Sequence, residues 1–269
     1  MRVLLTGAAG SIGRTVGPAL VAAGHDVVGV DLVDASWSGA VAWHVGDCSD
    51  AAWTDSVLAA VVPDAVVHLA GHPDELDLLG SFTSHVLTTT VLLDAMVAHG
   101  VQRFVYASSN HAVGRTVRTE LTDGVLGVDA RPRPDTFYGV GKVAAEAVMS
   151  LYADRHGIDA VACRIGSFLE RPTTRRHLAT WLSPGDCVRM VVAALTAEAP
   201  GFAVLYGVSA NTDGWWDLEP GLALGYSPVD DAAVFADELP ARDEDEFEAL
   251  HPGGPFAGEQ YHRRGVPLT

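Results

Sequence analysis

The stretch between residues 2 and 31 constrains the fold of this chain more than any other. A short apolar run is followed by three glycines at intervals of three, Gly7, Gly10 and Gly13. The next residues have the apolar spacing of a helix, and a second apolar run then leads to Asp31. A strand, a glycine-rich turn, a helix, a strand and an acid within about thirty residues predict a βαβ unit that binds a dinucleotide.

Each glycine of this turn has a physical purpose. The first allows a tight turn, the second lets the backbone approach a pyrophosphate, and the third lets the helix pack closely on the sheet. The free N–H groups at the start of the helix attract the phosphates. Asp31 would accept hydrogen bonds from the adenosine ribose and repel a 2′-phosphate, so NAD is favoured over NADP. The residues expected to bind NAD here are Gly7, Gly10, Ser11, Ile12, Gly13 and Asp31.

Apolar runs and helical patterns continue to alternate along the chain. Further strands are predicted at 41–45, 65–69, 103–107, 160–165 and 203–206, and further helices at 49–61, 81–98, 135–156 (opened by Pro134) and 185–197. This alternation predicts an α/β protein with a doubly wound parallel sheet, the Rossmann arrangement. We expect an NAD-binding domain over 1–166. Residues 167–269 would form a small C-terminal substrate-binding lobe that returns one strand to the sheet, with no clear element over 167–183.

Ligands of such sheets bind at the carboxyl ends of the strands. Asp47 and Cys48 follow the third strand, where an adenine edge would lie, and the small residues after the fourth strand let the backbone pass close to a cofactor. The residues that complete the expected NAD site are Asp47, Cys48, Leu69, Ala70, Gly71, Ser108, Tyr138, Lys142 and Ile165.

Lys142 is the single lysine among the 17 basic residues of the chain. Tyr138 precedes it by four residues, so the two share one face of a helix. At roughly 4 Å and an effective dielectric of about 20, a phenolate and an ammonium attract each other by about 4 kcal/mol. That attraction would lower a tyrosine pKa of about 10 by up to about three units. The pair therefore predicts a tyrosine that acts as a general base near neutral pH.

The charge and cysteine content exclude several classes of protein. Acidic residues outnumber basic ones by 34 to 17, a formal net charge of −17. Such a surface repels nucleic acid and anionic lipid, so neither nucleic acid nor membrane is an expected partner. Three cysteines without a CxxC pair are typical of a reducing cytoplasm. The spacing of Cys and His predicts no metal site. We expect a cytoplasmic protein.

The glycine-rich turn, the serines after the fifth strand and the Tyr138-x-x-x-Lys142 motif together resemble the extended branch of the short-chain dehydrogenase/reductase superfamily. The resemblance implies that Tyr138 is the catalytic acid/base and that Lys142 lowers its pKa and binds the nicotinamide ribose. It also implies that Ser109, rather than Ser108, orients the reacting hydroxyl.

Longer segments narrow this resemblance to the uronate dehydrogenases; they are 107–111, 138–142, 164–167, 180–183 and 209–217. These enzymes oxidise C1 of glucuronate or galacturonate with NAD, giving the aldarolactone. The resemblance implies a sugar site made by Ser109, Asn110, His111, Tyr138, Ser167, Arg176 and Phe256. Arg176 would clamp the C6 carboxylate, a task that suits a planar bidentate donor, and Phe256 would close over the sugar.

Two positions depart from the pattern of that family. Pro73 stands where a substrate-contacting serine is expected, and His85 stands where asparagine is usual. The acidic residues at 74, 75 and 77 are poor neighbours for an anionic sugar unless they point away. Oxidation of another aldose such as glucose 6-phosphate stays open as an alternative, as does a nucleotide-sugar epimerase or dehydratase. The apolar helices at 81–98 and 135–156 lead us to expect a homo-oligomer.

Overall fold

The structure is a computed structural model that describes residues 1–261. Its strands are β1 (Arg2–Thr6), β2 (Asp26–Asp31), β3 (Ala42–Val45), β4 (Ala65–His68), β5 (Arg103–Ser109), β6 (Asp159–Ile165), β7 (Ser167–Phe168), β8 (Trp181–Leu182) and β9 (Phe202–Gly207). Its α-helices are α1 (Ser11–Ala22), α2 (Ala51–Val61), α3 (Leu78–Ser81), α4 (Thr88–His99), α5 (Phe137–His156), α6 (His177–Thr180), α7 (Pro184–Thr196), α8 (Glu219–Ala223) and α9 (Asp245–Ala249). A π-helical segment spans Phe82–Leu87, and 3-10 turns span Asn110–Val113, Arg118–Glu120, Ala232–Glu238, Gly254–Ala257 and Glu259–Tyr261.

The main sheet has seven strands in the order β3-β2-β1-β4-β5-β6-β9 within the described residues. Every neighbouring pair in it is parallel. The chain runs outward from β1 to β3 and then returns to β4 on the other side of β1. The strand order therefore reverses between β1 and β4, where the carboxyl ends of the strands leave a crevice for a ligand.

Apolar side chains cover both faces of the sheet, as a fully buried parallel sheet requires. One cluster joins β1, α1 and α7 through residues such as Leu5, Leu20 and Val191. The second cluster joins the opposite face to α2, α4 and α5 through residues such as Leu58, Met96 and Met149. The predicted fold class, a doubly wound parallel sheet, is confirmed.

The C-terminal part of the chain returns a strand to the sheet, as predicted. This strand, β9, pairs with β6, while α7 packs into the same core as β1. The sequence predicted no element over 167–183, and this was wrong. A two-residue strand pair, β7 with β8, and the single turn of α6 form there, because Ser167 and Phe168 run directly on from β6 beside Trp181 and Leu182.

Two helix boundaries also differ from the prediction. The helix opened by Pro134 begins only at Phe137, because Thr136 is extended and its side chain accepts the free N–H of Gly139 as an N-cap. The single helix expected over 81–98 begins at Leu78 and contains the π-helical segment. Helix α5 approaches this region closely, since a Cβ on Gly141 would lie 3.1 Å from the carbonyl oxygen of Ser81.

Within residues 1–261, no helix has the length and apolar character needed to cross a membrane. The three cysteines are free and buried.

Candidate active site

A cleft of about 1570 Å³ opens at the carboxyl ends of the strands. All the side chains that the sequence predicted for the site line this cleft. They come from segments as far apart as the turn after β1 and the 3-10 turn at Gly254–Ala257. The fold thus brings the predicted NAD, catalytic and sugar residues to one surface. In the described part of the chain, no group of three His, Cys, Asp or Glu side chains could hold a metal ion.

The glycine-rich turn forms a cradle at one end of the cleft. Gly7 has a φ of +68°, and a Cβ there would lie 2.6 Å from the backbone of Leu69 and Ala70. A Cβ on Gly13 would lie 2.4 Å from the carbonyl oxygen of Gly7. Helix α1 begins at Ser11 after the N-cap Gly10, with no side-chain cap and no acidic residue in its first turn. Its free N–H groups therefore suit the phosphates of a dinucleotide.

Asp31 is held beside this cradle. Its carboxylate accepts a hydrogen bond from the backbone N–H of Ala9 at 2.8 Å, which fixes the acid at the end of β2 where the ribose of an adenosine would bind. The indole N–H of Trp37 donates to the carbonyl oxygen of Ala8 at 3.2 Å. A Cβ on Gly17 would lie 2.1 Å from that indole, so Trp37 packs into a notch of α1.

Asp47 and Cys48 lie at the same edge of the cleft, beyond β3. The Asp47 carboxylate accepts the backbone N–H of Ser49 at 2.8 Å. Cys48 is buried, and burial raises the pKa of its thiol to about 12. The thiol therefore stays protonated, so its place at the cleft is that of a small apolar wall rather than of a nucleophile.

Tyr138 and Lys142 lie in the first two turns of α5 and face the cleft together, as the spacing predicted. The sequence predicted a lowered pKa for Tyr138, and this was wrong. Burial raises the pKa of Tyr138 to about 12, and a hydrogen bond with Ser109 opposes this shift. The ammonium of Lys142 donates to the carbonyl oxygen of Ala107 at 2.7 Å and lies 5.2 Å from the centre of the Tyr138 ring.

The two serines at the end of β5 have different partners. Consecutive side chains of a strand point to opposite faces. Ser108 donates to the Glu146 carboxylate at 2.5 Å, away from the sugar residues. That carboxylate also binds the guanidinium of Arg164 at 3.0 and 2.8 Å. Ser109 is the serine whose hydrogen bond with Tyr138 opposes the rise in the pKa of that phenol.

Arg176 lies across the cleft and is held by neutral oxygens. It donates to the hydroxyl of Ser167 at 3.2 Å and to the carbonyl oxygen of Pro252. Its Nε is buried without a hydrogen-bond partner among residues 1–261. Burial lowers the pKa of Arg176 to about 10, although the carboxylates of Glu248 and Asp135 oppose the shift. A pKa of about 10 keeps this guanidinium charged at neutral pH.

The C-terminal segment closes this side of the cleft. Asn110 donates to the same carbonyl oxygen of Pro252 at 2.6 Å, and the ring of Phe256 meets the ring of His111 edge to face at 5.2 Å. The three residues predicted to bind sugar, Asn110, His111 and Phe256, are therefore in one group. The amide oxygen of Asn110 also accepts a hydrogen bond from the hydroxyl of Ser109 at 3.3 Å.

Asp135 is a site residue that the sequence reasoning missed. Both of its carboxylate oxygens lie 2.9 Å from Nδ1 of His111, and its side chain is fully buried. In a chain with 34 acidic residues, no local pattern marks this one, beyond its place directly before the N-cap of α5.

Two carboxylates of the acidic loop after β4 bind the N-terminal ends of helices. Glu75 accepts the backbone N–H of Phe137 at 3.0 Å, and Asp77 accepts that of Gly80 at 2.7 Å. These two carboxylates are favourable at helix N-termini. His85 packs edge to face on Tyr138 with ring centres 4.9 Å apart. Burial and the nearby Lys142 lower the pKa of His85 to about 2, so its ring is neutral.

A phosphate cradle and an acid at the end of β2, placed where the strand order reverses, define the class of NAD-dependent enzymes built on a doubly wound sheet. The chain belongs to the NAD dependent epimerase/dehydratase family, whose sequence profile matches residues 3–183.

Individual relatives narrow the similarity further. The chain is 34% identical over 262 residues to a uronate dehydrogenase from Pseudomonas syringae pv. tomato, which covers 95% of this chain and 92% of that protein. It is 33% identical over 214 residues to an NAD-dependent glucose-6-phosphate dehydrogenase from Haloferax volcanii. This match covers 75% of this chain and 80% of that protein. A crystal structure of a mutant uronate dehydrogenase from Agrobacterium tumefaciens complexed with NAD has a TM-score of 0.87 at 33% identity. The superposition covers 95% of this chain and 96% of that chain. The resemblance to uronate dehydrogenases and the choice of NAD are confirmed.

Proposed function

We propose that the protein oxidises C1 of a cyclic uronic acid, glucuronate or galacturonate, to the aldarolactone with NAD. The observation that carries this proposal is the position of Arg176. Its side chain lines the same cleft as Tyr138, and its Nε has no hydrogen-bond partner in the part of the chain that the structure describes. A buried charge is costly unless it is paired, and no carboxylate of the described residues forms an ion pair with Arg176. The carboxylate of a uronic acid would supply that partner.

The other residues have the following roles in this proposal. Tyr138 takes the proton of the C1 hydroxyl, and Ser109 holds that hydroxyl within reach. Lys142 holds the nicotinamide ribose, and its charge favours the phenolate of Tyr138. NAD, when bound, accepts the hydride that leaves C1. The ring-closed sugar then leaves as a lactone. A positioned acid/base of this kind contributes about 10²- to 10⁴-fold to a rate.

The remaining members of the predicted site complete the proposal. Gly7, Gly10, Ser11, Ile12 and Gly13 hold the pyrophosphate, Asp31 the adenosine ribose, and Asp47 and Cys48 the adenine edge. Leu69, Ala70, Gly71 and Ile165 line the path of the cofactor, with Ser108 contributing only its backbone. His111, Ser167 and Phe256 contact the sugar. In this proposal residues 1–166 are the NAD-binding domain, and residues 167–269 are the small substrate-binding lobe that completes the sugar site around Ser109 and His111.

A second candidate is the oxidation of another aldose, such as glucose 6-phosphate. Pro73 favours it, because this residue lines the cleft and has no hydroxyl with which to hold a uronate. The glucose-6-phosphate dehydrogenase of Haloferax volcanii is among the relatives described above. A phosphate would also satisfy Arg176.

The experiment is a panel of glucuronate, galacturonate, glucose and glucose 6-phosphate, each with NAD and with NADP, followed by NADH absorbance. We expect the uronates with NAD to have the highest kcat/KM. An Arg176→Ala variant should raise KM for uronate about 10- to 100-fold, the effect of losing a charge-assisted hydrogen bond.

The matched control is Arg175→Ala, because Arg175 is the neighbouring guanidinium, half exposed and 3.9 Å from Asp245. We expect its kinetics to equal those of the wild type. A uronate KM that Arg176→Ala leaves unchanged rules out the clamp. Preference for glucose 6-phosphate supports the second candidate, and sugar conversion without net NADH identifies an epimerase.

We also propose that the protein works in the cytoplasm as a homo-oligomer, without nucleic acid or membrane. Exposed apolar side chains on the outer helices, among them Leu87, Val97 and Leu151, support the assembly. Light scattering of the purified protein measures its mass directly.

A further inference from the structure

Asp135 and His111 form a pair that links two parts of the site. His111 lies in the 3-10 turn after β5, and Asp135 lies two residues before α5 begins. Their contact therefore joins the end of the strand that carries Ser109 to the start of the helix that carries Tyr138. The His111 ring also meets the Tyr138 ring edge to face, with centres 5.8 Å apart.

The space around the Asp135 carboxylate is walled by two glycines. A Cβ on Gly114 would lie 2.2 Å from this carboxylate, and a Cβ on Gly253 would lie 1.6 Å from it. Neither glycine has a positive φ: Gly114 has −55° and Gly253 has −72°. Backbone conformation does not require glycine at either place. The close approach of the carboxylate does.

The chemistry of the pair fixes the proton on the imidazole. An ionised carboxylate only accepts hydrogen bonds. With both oxygens 2.9 Å from Nδ1, that nitrogen must carry the proton. In the neutral ring Nε2 is then an acceptor. Within residues 1–261 Nε2 has no hydrogen-bond partner, and 19% of the side chain is exposed toward the cleft.

We propose that Asp135 is a positioning residue that holds His111 in the Nδ1–H form, so that Nε2 accepts a hydrogen bond from a sugar hydroxyl next to the reacting carbon. Because the His111 ring contacts the ring of Tyr138, the proposed base at C1, a hydroxyl bound to Nε2 would lie next to C1. This divides recognition in the cleft, since Arg176 binds an anion and His111 binds a neutral hydroxyl. The sugar part of the inference rests on the proposed function, whereas the state of His111 does not.

The first test measures the proton directly, without sugar or NAD. Long-range ¹⁵N–¹H correlation spectra of histidine-labelled protein at about pH 8, where free histidine is neutral, distinguish the two ring nitrogens. The signals of His111 are assigned by their loss in a His111→Asn variant. We expect Nδ1–H in the wild type and a shift toward Nε2–H in Asp135→Asn, whose amide can donate to Nδ1.

The control is Asp55→Asn. Asp55 pairs with His99 at 2.8 Å on the surface, so the same substitution changes another aspartate–histidine pair and should leave His111 as in the wild type. A wild-type His111 with an unprotonated Nδ1 overturns the proposal even if Asp135→Asn does not fold.

The second test is kinetic. Asp135→Asn should lower kcat/KM for the best sugar of the panel about 10- to 100-fold while the Kd for NAD stays the same. With the wild type, kcat/KM for the 2-deoxy analogue of that sugar should be lower by a similar factor. With Asp135→Asn the analogue should be little worse than the sugar itself, because both changes remove the same hydrogen bond. Fully additive losses overturn the hydroxyl assignment. A panel without any oxidised sugar overturns the proposed function and leaves the spectra to decide the role of Asp135.

Discussion

The ammonium of Lys142 donates a hydrogen bond to the carbonyl oxygen of Ala107 at 2.7 Å. The same ammonium lies over the ring of Tyr106, 4.7 Å from its centre. Lys142 is 4% exposed. Burial lowers the pKa of Lys142 to about 7, although the Glu146 carboxylate opposes the shift. A pKa of about 7 means that this lysine loses part of its charge near neutral pH.

Lys142 should make stability depend on pH. Its pKa is about 7 in the folded protein and about 10.4 in an unfolded chain. Between these values the unfolded chain binds a proton that the folded protein lacks, so the free energy of unfolding rises with pH. The slope is up to about 1.4 kcal/mol per pH unit. From about pH 7 to about pH 9, we expect the free energy of unfolding of the wild type to rise by about 2–3 kcal/mol relative to that of Lys142→Met.

Urea unfolding at a series of pH values measures this difference. Arg155→Met on the exposed part of the same helix is the control and should run parallel to the wild type. Parallel curves for Lys142→Met would show that the lysine stays fully charged when buried.

Tyr138→Phe should lose most of the dehydrogenase activity and keep its affinity for NAD. The phenol oxygen is the only atom removed, so the loss should be about 10²- to 10⁴-fold in kcat. Tyr152→Phe is the control on the same helix, where the hydroxyl binds Asp94 on the surface, and it should turn over at the wild-type rate. More than a few per cent of activity in Tyr138→Phe excludes it as the base.

Glu146→Gln should destabilise the fold by about 3–5 kcal/mol, because it leaves the Arg164 guanidinium buried without its counter-charge. The two side chains are 7% and 5% exposed. The control is Glu238→Gln. Glu238 is 60% exposed and its partner Arg171 is 56% exposed. Its cost should be about 1 kcal/mol or less. Denaturant midpoints of both variants check this, and equal midpoints contradict the prediction.

Trp37→Phe should weaken NAD binding by about 3- to 10-fold, as expected for one hydrogen bond. The indole N–H of Trp37 holds the carbonyl oxygen of Ala8 in the glycine-rich turn, and phenylalanine cannot donate. Trp43→Phe removes the neighbouring indole, which binds the carbonyl oxygen of Val33 outside the turn. Calorimetric titration with NAD should find that affinity falls in the first variant and not in the second.

Much of the fold could be predicted because its signals are local. Strand and helix periodicities, the spacing of Gly7, Gly10 and Gly13, and the acid after β2 each depend on a few consecutive residues. The predicted helix ends were less accurate than the predicted helices themselves. The start of α5 depends on which side chain caps the helix, and the cap is Thr136, two residues after Pro134.

The sequence by itself determined the doubly wound sheet, the NAD cradle and the shared face of Tyr138 and Lys142, because short-range backbone geometry sets all three. Tertiary structure decided where charges and hydrogen bonds go. His111 binds Asp135, which is 24 residues away in the sequence. Arg176 donates to the carbonyl oxygen of Pro252, which is 76 residues away. It also decided that burial raises the pKa of Tyr138 to about 12, where spacing alone had predicted a decrease. Desolvation and long-range partners depend on how distant segments close on one another, which no local pattern contains.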